Sequence, residues 1–433
     1  VPSKDCKENP WQQLNSITSF LDMSLVYGNN DVRANQLRDI SQGKGLLKYT
    51  LKPNSSSTQM YLPNDPYITN CAIDVKLKCG LSGDNRTSEQ PGLTALHTVF
   101  LRYHNQIATS LSEINQNWLN DRLYEETRRI LGAIFQRITY SEYLPAILDA
   151  STRRLYGLEL EDSGRNGAYY SPFVNPSVLN EFSSAAFRFG HSQVPSSITR
   201  VNRYYEPYQP ILLRFAFHNA SIVYDDDNGG IDGILLGQMV TPLSQTDESL
   251  SEEITEHLVP RPIDGPGRDL FAINIQRGRD HGLASYNKLR EACGLKLAHN
   301  FDDLLDSIRS STIEKLKSIY KHVDDIDLYA GGICETPVRG GSIGPTFSCI
   351  IGLQFLKLKI GDYFWHERSN IQSSFTYEQL QEIRKVTMAR VFCDTLQDVW
   401  RIQPDVFRLP SYKNSRVTCD DLPNLNLNLW NEP

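Results

Sequence analysis

The chain has 433 residues, of which 40% are hydrophobic, and this is enough for a large core. Its 44 basic and 51 acidic residues give a net charge of −7, so composition offers no reason to expect nucleic acid or an anionic membrane as partner. The best apolar stretch, Cys349 to Leu356, is too short to cross a bilayer. These features favour a globular protein with no nucleic-acid partner and no membrane span.

The cysteines and the glycosylation sequons indicate a cellular compartment. Eight cysteines lack the paired Cys-x-x-Cys spacing of zinc sites, and Asn-x-Ser/Thr sequons occur at Asn54, Asn85 and Asn219. This combination favours an oxidising compartment, so we expect a secreted or secretory-granule glycoprotein with disulfide bonds. The chain begins Val1-Pro2, without an initiator Met or a signal peptide, which predicts a processed or trimmed product.

The first stretch with a chemical pattern lies between residues 14 and 28. Thr18, Asp22 and Ser24, with the backbone carbonyls between them, offer the oxygen ligands that calcium prefers. The alternative is a Ser/Thr-rich turn with a capping Asp, because calcium sites usually contain more carboxylates.

A polar stretch at residues 83–92 precedes a strong helical pattern. Apolar residues from Leu93 to Ile107 recur at steps of three and four, which predicts an amphipathic helix. Arg86 and Glu89 stand three apart at its entrance. They form either an ordinary ion pair at a helix start, or a pocket-edge arginine that stabilises negative charge beside a carboxylate available for covalent linkage.

The stretch from Asn175 to His191 predicts a second helix. Asn175-Pro176 is a helix-start signal, and the apolar stripe that follows it ends at Phe189. His191 stands three residues after Arg188, so both side chains project from one face. A neutral imidazole at such a place is suited to haem iron, whereas the simpler interpretation is a capping or packed histidine.

Residues 270–282 alternate apolar and polar side chains. Asn274 is a residue type that can hydrogen-bond a histidine nitrogen, and Arg277 one that can hold an anion; the alternative is a buried polar turn that satisfies its own backbone. Further helical patterns cover residues 122–138, 302–321, 345–358 and 377–391, and no convincing linker separates them. The chain is therefore predicted to be mainly α-helical.

Together these segments resemble the animal haem peroxidase family, which includes myeloperoxidase and the chorion-type and peroxinectin-like peroxidases. The resemblance implies a large single-domain helical haem peroxidase fold with little β structure, covering residues 1–433 but lacking its N-terminal part. It runs in order along the chain in these blocks: Thr18 to Gly28, Gly83 to Arg86 with Glu89, Leu96 to Asn105, Phe187 to His191, Asn274 to Gly282, and Gly344 to Gly352.

The resemblance implies a role for each site residue. His191 resembles the proximal ligand of the iron in haem b, with Asn274 orienting its other ring nitrogen. Arg86 resembles the distal arginine that polarises peroxide, and Glu89 the residue that esterifies a haem methyl group. The haem propionates would pair with Arg188 and Arg277, and calcium would bind Thr18, the Phe20 carbonyl, Asp22 and Ser24.

The family pattern also implies how the cysteines pair. It implies disulfides Cys71–Cys79, Cys293–Cys349 and Cys393–Cys419, and leaves Cys6 to pair with an upstream piece or another chain. Cys334 matches no cysteine of the family. Asn54 is the most plausible glycosylation site, because Asn85 beside Arg86 falls at the pocket.

Two departures from the family change the expected chemistry. The distal histidine, a calcium-binding Asp and a second haem-esterifying Asp lie upstream of this sequence in the family, while His97 and His104 match helix positions outside the distal site. We therefore expect a heavy chain that needs a light chain or upstream region to supply the proton-handling histidine. Gln90 stands where myeloperoxidase has a haem-linked Met, which favours donors easier to oxidise than chloride.

The predicted function is hydrogen-peroxide-dependent oxidation of small donors, either halide and thiocyanate or phenols, including tyrosines in crosslinking. One alternative is a peroxinectin-like adhesion or scaffold protein. No Arg-Gly-Asp motif is present, and Arg277-Gly278-Arg279-Asp280, which only approximates one, is expected to be buried. A haem dioxygenase is the other alternative, but no radical-forming tyrosine is identifiable among the 21 tyrosines.

Overall fold

The structure, a computed structural model, describes residues 13–52, 58–66, 79–161, 169–259 and 265–432. Helices dominate this part of the chain, as the sequence predicted, and none is long and apolar enough to cross a membrane. The α-helices are Ser24–Tyr27, Asp31–Leu37, Pro91–Ile114, Asn120–Ile138, Leu144–Ile147, Ala150–Leu155, Asn180–Ser184, Gly230–Val240, Glu252–Thr255, Leu270–Asp280, Tyr286–Ala292, Ser310–Ile319, Leu328–Cys334, Pro345–Gly361, Tyr377–Lys385 and Met388–Thr395.

Shorter elements connect these helices. The strands form two-residue antiparallel pairs: Arg38–Asp39 with Leu46–Leu47, Thr50–Leu51 with Met60–Tyr61, Ser197–Ile198 with Ile211–Leu212, and Arg401–Ile402 with Val417–Thr418. A π-helix spans Thr139–Tyr143. The 3-10 helices are Ala186–Gln193, Leu213–Phe215, Ala220–Tyr224, Asp226–Asn228, Phe301–Asp306, Val323–Asp325, Cys419–Asp421 and Leu427–Trp430.

The buried apolar side chains form two clusters. The first cluster contains side chains from helices Pro91–Ile114, Asn120–Ile138, Gly230–Val240 and Met388–Thr395. The second is built around helices Leu328–Cys334 and Pro345–Gly361. Leu96 of the first and Phe355 of the second both line the same large cavity, so the cavity lies where the two clusters face each other.

Two predicted helices are interrupted. The pattern over 302–321 divides into the 3-10 helix Phe301–Asp306 and the α-helix Ser310–Ile319. The pattern over 377–391 divides at Val386 and Thr387, where the Thr387 side chain accepts a hydrogen bond from the Arg390 N–H and caps a new helix. The cap at Thr387 thus starts a second helix inside one apolar stripe, whereas the helix Ser310–Ile319 follows Arg309 without a side-chain cap.

The helix predicted to start at Pro176 begins later. Asn175 Oδ1 accepts from the Ser177 N–H (3.0 Å), closing a turn, and the Leu179 N–H donates to Gln354 Oε1 (2.7 Å) on another helix. Because these contacts hold the backbone elsewhere, the α-helix covers only Asn180–Ser184. Ala185 (φ −140°, ψ −71°) then breaks the helix, and the 3-10 helix Ala186–Gln193 follows.

Two of the three implied disulfides are present, Cys293–Cys349 and Cys393–Cys419. Cys71 lies outside the described residues, as do Cys6 and the sequon at Asn54. Cys334 is buried and forms no disulfide within the described ranges. The pairing inferred from the family is therefore confirmed for these two bonds.

Candidate active site

The cavity between the two clusters has a volume of about 2280 Å³. This exceeds the roughly 300–1,000 Å³ of ordinary small-molecule pockets and leaves room for a large cofactor together with a substrate. Eight residues named from the sequence line it: Thr18, Phe20, Ser24, Arg86, Glu89, Arg188, His191 and Arg277. One cavity thus unites positions that lie up to about 260 residues apart in the sequence.

His191 is held by a residue from a different helix. Asn274 is completely buried on helix Leu270–Asp280, and its Nδ2 lies 2.8 Å from His191 Nδ1. The Arg188 guanidinium donates to Asn274 Oδ1 (3.1 Å). A 3-10 helix has three residues per turn, so Arg188 and His191 lie one above the other and reach the same asparagine.

The imidazole of His191 is kept neutral. Burial, followed by the positive charge of Arg188, lowers its pKa from 6.5 to about 4. Asn274 occupies Nδ1, and Nε2 forms no hydrogen bond with another described residue. An imidazole ligates a metal through Nε2 when Nδ1 carries the proton, and the Asn274 side chain accepts that proton when its amide presents Oδ1 instead of Nδ2 to Nδ1.

Arg188 and Arg277 place two positive charges beside the histidine. Burial lowers the pKa of Arg188, and the nearby charge of Arg277 lowers it further. Neither guanidinium forms a salt bridge with any carboxylate in the described part of the chain. Two cations at one cavity wall without protein counter-ions fit an anionic ligand such as a pair of carboxylates.

Arg86 lies at another part of the cavity lining, in the turn before helix Pro91–Ile114. Its Nε and Nη2 donate to the two carboxylate oxygens of Asp84 at 3.0 and 2.7 Å, and its backbone N–H donates to Asp84 Oδ1. These hydrogen bonds lower the pKa of Asp84. Asp84 fixes the arginine, and sequence reasoning missed this role although Asp84 is two residues away. The Arg86 side chain is 69% exposed.

Glu89 and Gln90 complete this turn. The Glu89 N–H donates to the Arg86 carbonyl (2.9 Å), and the Glu89 carbonyl accepts from the His218 N–H (3.0 Å). Gln90 Oε1 accepts from the Gly92 N–H (2.6 Å) and caps the helix, with Pro91 as its first residue. Gln90 thus caps a helix. It is the same residue whose difference from the haem-linked Met of myeloperoxidase favoured electron donors other than chloride.

The structure places the other histidines of interest as follows. His97 and His104 are buried, and burial lowers the pKa of each to about 4. Neither lines the cavity, and His104 lies between the Tyr27 hydroxyl and the Gly45 carbonyl. His281 does line the cavity, but its Nδ1 is engaged by Asn180 Oδ1 (2.7 Å) and the Ser184 hydroxyl (3.0 Å).

The proposed calcium loop forms a series of tight turns. Thr18 Oγ1 accepts from the Phe20 N–H (3.1 Å), and Asp22 Oδ1 accepts from the Ser24 N–H (2.9 Å). These are the contacts of a Ser/Thr-rich turn with a capping Asp. Burial raises the pKa of Asp362, and the negative charge of Asp22 raises it further. The loop therefore brings oxygen donors close to a second carboxylate.

The expectation that Arg277 to Asp280 is buried was wrong. These residues form the last turn of helix Leu270–Asp280, and three of the four are exposed. Arg279 pairs with Asp327 through two hydrogen bonds at 2.9 and 2.7 Å. The same helix buries Asn274, so its polar residues divide between an inner face and a solvent face.

Comparison with known proteins identifies relatives along nearly the whole chain. The chain is 39% identical over 97% of its length to the peroxidasin homologue pxn-1 of Caenorhabditis elegans, of which it covers 32%. It is 38% identical over 98% of its length to rat thyroid peroxidase, of which it covers 46%. The chain thus spans about a third to a half of these relatives.

Solved structures give the same fold. Peroxidase A of Dictyostelium discoideum superposes with a TM-score of 0.77 at 30% identity, covering 92% of this chain and 73% of that one. The rice fatty acid α-dioxygenase superposes with a TM-score of 0.67 over 87% of this chain and 63% of its own. Its identity is 19%, so this second likeness concerns the fold alone.

A profile described as animal haem peroxidase matches residues 2–407. This match covers most of the chain, including the turn with Arg86, the segment with His191 and the helix with Asn274. The resemblance drawn from the sequence is thereby confirmed at the level of the family. The chain belongs to the animal haem peroxidase family.

Proposed function

We propose that this chain carries the haem-binding part of a peroxidase that uses hydrogen peroxide to oxidise small donors. The observation that carries the proposal is the arrangement of His191, Asn274 and Arg188 at the wall of a cavity that also contains Arg86. A half-buried neutral imidazole, oriented by a buried amide and flanked by arginines without carboxylate partners among the described residues, has little use in a purely structural protein.

The chain's residues suit haem b in specific ways. His191 Nε2 would bind the iron, and Arg188 and Arg277 would bind the propionates, while Glu89 is the candidate for a covalent ester. When bound, haem supplies the redox chemistry that couples peroxide reduction to donor oxidation. Asn274 holds the imidazole ring in place and tunes its basicity.

Arg86 would act on the peroxide itself. Its guanidinium remains charged at all accessible pH values and stabilises negative charge as the O–O bond breaks. The paired carboxylate of Asp84 orients it without neutralising it completely. The cavity residues described supply no free histidine near Arg86, so we propose that a light chain or upstream region supplies the proton-handling group.

The donor is proposed to be iodide, bromide, thiocyanate or a phenol, including protein tyrosine in crosslinking. This follows from Gln90, which cannot form a sulfonium link to haem and serves as the helix cap. Comparing the rates with guaiacol, bromide and chloride ranks the candidates.

Calcium is proposed for the loop of Thr18, Phe20, Asp22 and Ser24. All ligands would be hard oxygen atoms, as calcium requires, and the cation would offset the repulsion between Asp22 and Asp362. Chelation with EGTA should then lower the melting temperature, and calcium should restore it. An unchanged melting temperature would leave the loop as a simple turn.

Secretion is proposed from the two disulfides, which persist in oxidising compartments. Of the described sequons, Asn85 is exposed but accepts a hydrogen bond from Arg33 (2.8 Å). Asn219 uses its side chain to cap a 3-10 helix. Asn54 therefore remains the proposed glycosylation site, and an Asn54→Gln variant should lose glycan mass.

The decisive experiment uses protein from its native source. Mass spectrometry should find a small partner or upstream segment that contains a histidine, and the visible spectrum should show a Soret band. Peroxide-dependent oxidation of guaiacol should accompany both. Protein with neither haem nor a partner would overturn the proposal and return the adhesion or scaffold function as the alternative.

A further inference from the structure

A line of aromatic rings leads from the cavity wall into the protein. Tyr143 and Phe187 line the cavity with their ring centroids 6.4 Å apart. Phe187 lies 6.0 Å from Phe355, and Phe355 lies 5.7 Å from Tyr140. Tyr140 contacts Trp365 edge-on at 4.8 Å. Each of these separations lies within the roughly 4.5–7 Å range of interacting aromatic pairs, so the rings form a continuous series from the cavity to Trp365.

The two tyrosines lie on an unusual helical turn. Tyr140 and Tyr143 belong to the π-helix Thr139–Tyr143, a rare form that is frequent at functional sites. Burial raises the pKa of Tyr143 to about 12 and that of Tyr140 well above its ordinary value. The Tyr140 hydroxyl donates to the Phe355 carbonyl (2.6 Å). A backbone carbonyl cannot take up the proton, so an oxidised Tyr140 would be short-lived.

Trp365 is better able to hold positive charge. It is 3% exposed, and its indole N–H donates to Glu367 Oε2 (3.4 Å). Glu367 is itself held by Arg384 through Oε1 (3.1 Å). An indole can lose an electron without losing its proton, and the adjacent carboxylate stabilises the resulting cation.

The two residues that precede Trp365 in the sequence, Tyr363 and Phe364, lie at the surface. The backbone N–H of Trp365 donates to the Asp362 carbonyl (3.3 Å), and this bond closes a turn with Tyr363 and Phe364 at its corner. Phe364 is 69% exposed and Tyr363 is 43% exposed. The Cα atoms of Tyr363 and Trp365 are within roughly 7 Å, the reach of two residues.

Tyr363 belongs to an exposed aromatic group. Its ring centroid lies 5.4 Å from that of Tyr170. The guanidinium of Arg368 lies 3.9 Å from the Tyr363 ring and 4.3 Å from the Tyr170 ring. A cation at this position disfavours a charged ring, so oxidation there releases the phenolic proton to water and gives a neutral phenoxyl radical.

We propose that Tyr143, Tyr140 and Trp365 relay electrons to the cavity from a second oxidation site, formed by Tyr363 and Tyr170 at the surface. This site would oxidise phenolic side chains on macromolecules that are too large to enter the cavity. The inference rests on the proposed peroxidase function and adds to it a place and a route for the oxidation of phenols on macromolecules.

The reaction balances for phenols. Hydrogen peroxide takes two electrons and two protons and becomes two molecules of water. Each of two donor phenols gives one electron through the relay and one proton to solvent, and becomes a phenoxyl radical. The two radicals then couple through a new carbon–carbon bond, which yields dityrosine.

The test uses the haem-loaded protein and two donors, iodide and a tyrosine peptide tethered to a high-molecular-weight dextran. Variants Trp365→Phe and the double variant Tyr170→Phe, Tyr363→Phe should lose most dityrosine formation on dextran while iodide oxidation is unchanged. The control is Tyr412→Phe, because Tyr412 is 98% exposed and lies outside the ring contacts described. It should behave as the unmodified protein.

A second readout locates the radical. Without donor, a nitroso spin trap should label Tyr363 or Tyr170, as read by peptide mass spectrometry, and Trp365→Phe should abolish that label. Unchanged dextran crosslinking and labelling in both relay variants would overturn the relay alone. Failure of the unmodified protein to oxidise even iodide would overturn the proposed peroxidase function together with it.

Discussion

The His191 side and the Arg86 side of the cavity are built differently. On the His191 side, three side chains from two segments hydrogen-bond one another, and the central Asn274 is completely buried. On the Arg86 side, the arginine is fixed by an aspartate two residues away, within one turn, and its side chain is 69% exposed. One side depends on tertiary packing and the other on local hydrogen bonds.

This difference indicates which side the chain completes by itself. The His191 side contains all the groups needed to hold an imidazole neutral and oriented. The Arg86 side positions one charge toward an open cavity. The described chain therefore contains the half that is proposed to hold the metal, and the proton-handling half is where a partner segment is proposed.

The largest expected effect tests the His191 side. His191→Ala should abolish stoichiometric haem binding, because it removes the proposed iron ligand, and titration of haem followed at the Soret band measures this. His281→Ala is the matched control, since His281 lines the same cavity but hydrogen-bonds Asn180. Equal haem binding by both variants would refute the ligand assignment.

Arg86→Ala should leave haem binding largely intact and slow the reaction with peroxide. Loss of one preorganised charge-stabilising donor costs about 10²–10³ in rate. Stopped-flow measurement of kcat/KM for peroxide checks this, with Asp84→Asn as a companion that keeps the arginine but loosens it. If Arg86→Ala instead lost haem, the contrast between the two sides would fail.

Asn274→Ala should weaken haem affinity or activity by about 10–100-fold, as loss of a residue that orients a metal ligand does. Asn274→Asp is the matched variant: its carboxylate accepts hydrogen bonds from His191 and Arg188 and should lower the iron reduction potential. Potentiometric titration reads this directly. No change in potential in either variant would contradict the orienting role.

The pH dependence follows from the lowered pKa of His191. In the folded protein the His191 imidazole stays neutral as the pH falls through 6.5, and it becomes protonated at about pH 4. Haem affinity should therefore persist below pH 6.5 and be lost near 4. The unfolded chain takes up this proton first, so His191 lowers the free energy of unfolding as pH drops below 6.5. A midpoint near 6.5 for haem release would contradict this.

The smallest effect concerns Gln90. Gln90→Ala removes a helix N-cap and should cost about 1 kcal/mol of unfolding free energy, with little change in donor oxidation. Gln276→Ala is the control, because Gln276 is an exposed position inside helix Leu270–Asp280. Denaturant titration compares them, and equal stability of both variants would show that the cap hydrogen bond contributes nothing.

The two long helices at residues 91–114 and 120–138 illustrate what could be predicted from sequence. Their apolar residues recur regularly, and helical periodicity is a local property that survives burial. The segment before His191 illustrates the opposite. Its apolar stripe suggested one helix, but contacts from Gln354 and the break at Ala185 produce a turn, a short α-helix and a 3-10 helix.

The sequence by itself determined the helical class, the family, and the identity of the residues at the cavity, because these depend on local pattern and on ordered motifs. The family resemblance implied that Asn274 orients His191, 83 residues away, and only the tertiary structure gave the geometry of that hydrogen bond. It alone also decided that Arg188 and Arg277 have no carboxylate partner among the described residues. Such contacts depend on how distant helices pack, and side-chain packing leaves no periodic signal in the chain.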